Sequence, residues 1–348
     1  MAFRYHGSTF HQEQEMADLK SSYLGLELKN PVIAGASALT SNIQSLRRIE
    51  EAGASALVIS SLFEEQVQLS SFQLDEDLGM NDDSFAEMSS MFPNIEHAGP
   101  EDHILWVKKA KETVDIPVIA SLNAVNKATW IEYAKKLEDT GVDALELNFY
   151  SLPLDFEQDS ATVENNQVEI LTNIKKAVKL PISVKLSAFF TSPLNFIKRL
   201  DGIGVDGFVL FNRLFQPKIN INTEANDLSF NLSTPNDHRL PLRFAGMLYG
   251  NINGDVCASN GIHTSVEAVE VLLAGASVFQ TVSTLFKNKI EYIEVILEEI
   301  EEWMDTKGYN SLSDFRGKLS KDKNPDPWAY TRAKYVKVLR QSGQYMIK

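Results

Sequence analysis

Between Gly141 and Pro153 the chain reads Gly-Val-Asp-Ala-Leu-Glu-Leu-Asn-Phe-Tyr-Ser-Leu-Pro, which sets Glu146, Asn148 and Ser151 around one short apolar run. A carboxylate, an amide and a hydroxyl are costly to bury and make poor core. Where a strand opens into a loop, such a group either ties down the strand exit by hydrogen bonds or binds a ligand and carries a proton. Lys185 is the sharper signal, because Val184 and Leu186 flank it in another apolar run. In a strand buried on both sides its ammonium must reach an anionic or carbonyl partner. Two readings stand: an ion pair with Glu146 on the neighbouring strand, or a cation presented to a bound molecule. Ser37, Ser60, Ser61, Asn123, Asn212, Ser259 and Ser283 close further runs of the same kind.

These residues need elements to position them, and the hydrophobic pattern supplies an alternation. Short apolar runs at Pro31–Ser37, Ala56–Ser61, Pro117–Asn123, Ala144–Phe149, Ile182–Ser187, Gly207–Asn212, Val256–Ser259 and Ser277–Ser283 read as strands. Amphipathic stretches at Asn42–Ala52, Glu101–Val114, Lys127–Thr140, Glu164–Val178, Pro193–Leu200, Pro241 to about Asn251, and Ser265–Ala274 read as helices, several ending before a glycine. Repeated β-α units without a second compositional domain predict a (β/α)8 TIM barrel, with a doubly wound open sheet as the alternative. The polar residues then share the C-terminal ends of the strands, the face on which barrel active sites are built. Leu62 to Pro100 is long, polar and weakly periodic, and is expected to be an insertion covering that face. Arg213 to Arg239 is a second long connection.

Composition narrows the function classes. With 348 residues, 44% of them hydrophobic, the chain can bury one large core. Lys and Arg number 33 against 47 Asp and Glu, and the net charge of −14 argues against nucleic acid and anionic membranes as partners. A single cysteine, Cys257, excludes an internal disulfide and a thiolate metal cluster, and fits a reducing compartment, with the cytoplasm as the default. No run approaches the roughly 18 apolar residues of a membrane span. Residues 1–15 are polar and aperiodic and read as an extension, native or expression-derived. Residues 16–320 are expected to form the barrel, and 321–348 a helical tail packed on it.

Further motifs carry a resemblance. Lys307-Gly-Tyr-Asn-Ser-Leu-Ser-Asp-Phe-Arg-Gly-Lys318, Asn260-Gly-Ile-His-Thr264 with Leu272-Leu-Ala-Gly-Ala276, Asn30-Pro-Val-Ile-Ala-Gly-Ala-Ser37, Glu146-Leu-Asn148 and Val184-Lys-Leu186 resemble segments of soluble dihydroorotate dehydrogenases. The similarity spans roughly Leu24 to Ser320. It implies a flavin mononucleotide (FMN) enzyme that oxidises dihydroorotate to orotate in pyrimidine biosynthesis, assembled as a homodimer. The flavin would lie across the strand ends, its pyrimidine edge near Lys185 and Asn148, with Ala34, Gly35, Ala36 and Ser60 alongside and Asn123 and Asn212 within reach. Its phosphate would sit on Ser259, Asn260, Gly261, Ser283 and Thr284. Ser89, Asn148, Asn212 and Arg213 are the residues implied for substrate, and Ser151 and Lys185 those implied for catalysis.

The departures fall on the substrate side. Ser151 stands where the family has a cysteine base, Pro153 where it has a substrate-binding asparagine, Ile59 where it has a lysine, and Val282 where it has a phosphate-loop glycine. Phe211-Asn-Arg213 with Gln216-Pro217, Leu240-Pro-Leu-Arg243 and Asn324-Pro-Asp-Pro-Trp328 resemble a divergent branch of the same family. Dihydroorotate oxidation therefore stands beside a flavin oxidoreductase of another small cyclic substrate, a Schiff-base aldolase using Lys185, and a non-catalytic flavin-binding barrel. The electron acceptor is open: fumarate, quinone, oxygen or a partner protein.

Overall fold

A computed structural model of the chain describes residues 17–63, 100–123, 126–149, 155–213, 216–227, 231–326 and 328–345. Ser89, Ser151 and all but the two ends of the expected cover over the strand ends lie outside the described residues. Eight parallel strands close on themselves: β3 (Val32–Ala34), β4 (Ala56–Val58), β6 (Val118–Asn123), β7 (Ala144–Phe149), β8 (Ile182–Leu186), β9 (Gly207–Leu210), β12 (Asp255–Ser259) and β13 (Val278–Thr281), the last pairing back onto β3. This is the expected (β/α)8 barrel. A two-residue strand, β5 (Leu62–Phe63), continues the pairing along β6. The ring helices are α1 (Ile43–Glu51), α2 (Pro100–Lys111), α3 (Lys127–Glu138), α4 (Ser160–Ala177), α5 (Pro193–Asp201), α6 (Arg239–Leu248) and α7 (Ser265–Ala274). They are followed by α8 (Ser283–Asn288), α9 (Tyr292–Lys307) and α10 (Arg332–Arg340). No helix among the described residues is long and apolar enough to cross a membrane.

A short repeat sets the strand starts. Gly-Val-Asp occurs at 141–143 and 204–206, and Gly-Ala-Ser at 53–55 and 275–277, each between a helix end and a strand. The acid of the repeat accepts from the first N–H of the preceding strand: Val118 N to Asp143 at 2.7 Å and Ile182 N to Asp206 at 2.8 Å. Lys111 and Lys175 pair with the same two carboxylates. Because side chains alternate along each strand, this anchoring also fixes which residues face the barrel axis. Ile33, Ala56, Val58, Ile119, Ala144, Val209, Cys257 and Val278 form the small inner core, and the larger core lies between strands and helices.

The floor of the barrel is closed by a hairpin that sequence periodicity does not reveal. Strands β1 (Ser21–Tyr23) and β2 (Leu26–Leu28) turn through Leu24 and Gly25, both at positive φ. Tyr23 and Leu24 are buried with the inner core, and Leu24 N donates to Asp255 at 3.0 Å. Gly207 is glycine for want of room: a Cβ there would lie 2.6 Å from Leu24 and 3.0 Å from Tyr23. Gly207→Ala is expected to cost about 1–3 kcal/mol by overpacking. Combined with Leu24→Ala, the losses in a denaturation series should sum to less than their separate values, because the clash is removed.

Asp201 plays the corresponding part at the entry to β12. Its buried carboxylate accepts from Asn253 N at 2.8 Å and Gly254 N at 3.0 Å and meets Lys198 at 3.2 Å. Burial alone would raise this carboxyl, but the two amides and the ammonium outweigh it and hold it below the usual range. A depressed folded value means that the stabilisation is complete above the unfolded value, about 3.9, and is lost as pH falls through the folded one. Asp201→Asn is expected to cost about 1–3 kcal/mol at neutral pH. Its stability should then fall less steeply than the wild type's on acidification below about pH 4, which acid denaturation curves would show.

Candidate active site

Three polar side chains meet inside the barrel just below the strand ends. Lys185 on β8 lies 3.3 Å from Glu146 on β7 and 3.0 Å from Gln280 Oε1 on β13, and Gln280 Nε2 donates to Glu146 Oε2 at 2.5 Å. The triangle spans the barrel, since β13 lies across the ring from β7 and β8. Glu146 and Lys185 side chains are 1% and 11% exposed, so each charge depends on the others for its solvation. The ion pair expected for Lys185 exists, and the lysine also lines a pocket, so the two readings hold together. Gln280 was missed from the sequence. The available signal is an amide inside the four-residue strand Val278–Thr281, where both faces are buried.

Above the triangle opens a pocket of about 930 Å³, counting its mouth. Of the residues implied for a cofactor, Ala36, Lys185, Asn212, Ser259, Asn260, Gly261 and Ser283 line it. Ala34 and Gly35 lie behind this wall. Gly35 N donates to Thr281 O, and a Cβ on Gly35 would meet Val282 at 2.8 Å. Asn148, also behind it, accepts from Asn212 Nδ2 at 2.6 Å, so the two amides orient each other. Asn123 is buried at the end of β6, and Ser60 is half-buried after β4. The Thr284 hydroxyl donates to His263 O at 2.9 Å and accepts from Asn288, which leaves its backbone N–H as the group to offer. Ile59 is wholly buried in the outer core and presents nothing polar.

The far end of the pocket is a turn at Asn260 and Gly261, with φ of 90° and 76°. A Cβ on Gly261 would lie 2.1 Å from His238 N, so the segment before α6 packs directly against this turn. The long connection after β9 is more structured than its sequence suggests. It carries an exposed hairpin, β10 (Lys218–Asn220) with β11 (Ala225–Asp227), and then brings Asn231, Leu232 and Ser233 to the pocket. Ser233 is held three ways: its N–H donates to Ser283 Oγ at 3.0 Å, its O accepts from Lys287 at 2.8 Å, and its hydroxyl is 3.0 Å from His263 Nε2. Burial, reinforced by Lys287, lowers the His263 imidazole below its ordinary value, so it meets Ser233 as a neutral ring near neutral pH. Arg213, also in the pocket wall, points its guanidinium into this connection. Cys257 lies in the inner core, where burial and then Glu146 push its thiol well up, so it is inert there.

The arrangement can hold an elongated molecule with an anionic group at the glycine turn and a polarisable ring against Lys185. A family model described as dihydroorotate dehydrogenase matches residues 18–304. The catalytic subunit of dihydroorotate dehydrogenase B (NAD(+)) from Methanocaldococcus jannaschii is 26% identical over 294 residues, 81% of this chain and 92% of its own length. Its counterpart from Thermoplasma acidophilum is 26% identical over 311 residues, 87% of this chain and 99% of its own. Dihydroorotate dehydrogenase A (fumarate) from Lactobacillus helveticus is 30% identical over 210 residues, 59% of this chain and 68% of its own. With the match running through the whole barrel from the floor hairpin to α9, the chain belongs to the dihydroorotate dehydrogenase family.

Proposed function

We infer that the chain is an FMN-dependent oxidoreductase that oxidises dihydroorotate to orotate in pyrimidine biosynthesis. The observation that carries this reading is the pocket with two unlike ends: a buried cation at the barrel axis and an Asn260–Gly261 turn at which Gly261 has no room for a side chain. Those ends fit the two ends of FMN. The N–H groups around the turn and around Ser283 suit a phosphate, and Lys185 suits the flavin edge that becomes negative on reduction. When bound, FMN supplies the acceptor for the hydride that leaves C6 of dihydroorotate.

The protein's own groups do the rest. Ser151 takes the C5 proton, through water because a serine hydroxyl is a weak base. Lys185 is held in place by Glu146 and Gln280. Asn148 and Asn212, fixed by each other, present amides at the strand ends. The Schiff-base reading draws no support from the comparisons, whose matches are named dihydroorotate dehydrogenases. Cytoplasmic location and assembly as a homodimer belong to the same reading, and sedimentation would check the assembly.

One observation favours a second reading, in which the flavin is the same and the substrate is another small cyclic molecule. Among the described residues, the pocket's cationic side chains are Lys185 and Arg213, and both are engaged by protein acceptors. With Ile59 buried and apolar, the orotate carboxylate has no free described cation to meet. Anaerobic titration of the yellow protein with dihydroorotate, followed at the flavin's visible absorbance, decides between them. Full bleaching supports dihydroorotate. A flavin that dithionite reduces and dihydroorotate does not points to the other substrate, and a colourless protein that takes up no added FMN sinks both. The acceptor calls for its own measurement, because the relatives' names carry both NAD(+) and fumarate.

A further inference from the structure

Arg213 follows β9 and stands in the pocket wall, where a substrate-binding role would need free guanidinium N–H groups. None is left. A guanidinium has five N–H donors. Here Nε donates to Asn231 O at 2.7 Å, Nη1 to Asp237 at 2.9 Å and to Asn260 Oδ1 at 3.2 Å, and Nη2 to Asn231 Oδ1 at 3.1 Å and Leu232 O at 3.3 Å. These acceptors lie on three separate pieces of chain: the 231–232 segment of the pocket wall, the turn before α6, and the Asn260–Gly261 turn. One planar fork thus ties the long connection to the turn at the far end of the pocket. The other end of the same segment is fastened separately, at Ser233, by Ser283, Lys287 and His263.

We propose that Arg213 is a positioning residue for cofactor retention: by pinning residues 231–237 to the Asn260–Gly261 turn, it holds shut the wall over the phosphate end of the pocket and sets how fast FMN leaves. This rests on the flavin reading of the pocket. Nothing in it requires Arg213 to touch the substrate. Besides this fork, the Asp237 and His238 backbone packs on Gly261, while residues 231–232 have few other anchors among the described residues. Leu232 is half-buried and Asn231 is exposed, and the hairpin preceding them is exposed on every residue but Asp227. Removing the fork therefore loosens one end of the wall and leaves the Ser233 end attached. Lysine cannot substitute, because a point cation reaches one acceptor and has no fork to bridge three pieces of chain.

The test is FMN release from the intact flavoprotein, followed by the rise of free-flavin fluorescence on large dilution. Arg213→Met is expected to raise the release rate about 10- to 100-fold, as loss of several modest hydrogen bonds would. Arg213→Lys should recover little of it, and Asp237→Asn, which keeps the arginine but weakens one fastening, should fall between wild type and Arg213→Met. The thermal midpoint of the apoprotein should stay close to wild type while the increase caused by added FMN shrinks, which separates retention from a general structural defect. Should Arg213→Met fail to fold, Asp237→Asn carries the comparison alone. An unchanged release rate in the variants, or a rise in KM for substrate with unchanged release, overturns the proposal and returns Arg213 to the substrate. A wild type that binds no FMN overturns the flavin reading itself, which the variants' rates cannot do.

Discussion

Replacing Ser151 with alanine is expected to slow reduction of the flavin by dihydroorotate by about 10² to 10⁴, the usual worth of general acid–base assistance, with flavin content near wild type. Serine at this position needs help, because its hydroxyl is a poor base at neutral pH unless it is polarised. The nearest carboxylate along the chain, Asp155, is exposed and accepts from Glu157 N at 2.9 Å in a local turn. The chain's one thiol cannot take over, since Cys257 is sealed in the barrel's inner core with its thiol pushed well up. The family resemblance implies Ser151, acting through water, as the group that removes the proton. Ser151→Cys supplies the test of mechanism: a thiolate is reached nearer neutral pH than an alkoxide. Activity should return with a pH profile displaced towards that of a thiol. Equal reduction rates in wild type and Ser151→Ala would remove Ser151 from proton transfer. No reduction of the wild-type flavin by dihydroorotate would instead give weight to Ile59 and Pro153, the positions where the chain departs from the family on the substrate side.

The eight barrel strands were legible because parallel strands buried on both faces read as continuous apolar runs, and because several of the helices between them end before a glycine. The floor hairpin was not legible. Its strands are three residues long, and its turn uses Leu24 at positive φ instead of an Asn-Gly signature, a choice that makes sense only once Leu24 is seen buried under the barrel. Hairpin β10–β11 was hidden for a different reason: both faces are exposed, so no alternation is imposed on its sequence.

The site divides in the same way. The Lys185–Glu146 pair could be read from the sequence because both residues sit inside apolar runs and each needs an opposite charge. Gln280, which completes the triangle from across the barrel, lies 95 residues from Lys185 and carries no charge to betray it. Arg213 shows the limit most clearly. The family resemblance implied a substrate residue there, and the saturation of its guanidinium depends on acceptors 18, 24 and 47 residues away in irregular chain, which no local pattern encodes.

Removing the Lys185 ammonium is expected to lower stability and slow flavin reduction together, and a second substitution separates the two. In Lys185→Met the Glu146 carboxylate stays in the barrel interior, 1% exposed, with Gln280 as its remaining partner. Breaking a buried pair from one side costs about 3–5 kcal/mol, because the other charge is left uncompensated. Lys185→Met/Glu146→Gln removes that charge while keeping a side chain that can bond to Gln280, so most of the lost stability should return. Reduction should not return with it, since no cation then faces the part of the pocket assigned to the flavin edge, and negative charge building there goes unmatched. Stopped-flow reduction of both variants, alongside their denaturation curves, reads the two effects independently. Recovery of stability and reduction together in the double variant would make Lys185 an ion-pair residue that merely borders the pocket. Recovery of stability alone assigns the ammonium to the chemistry.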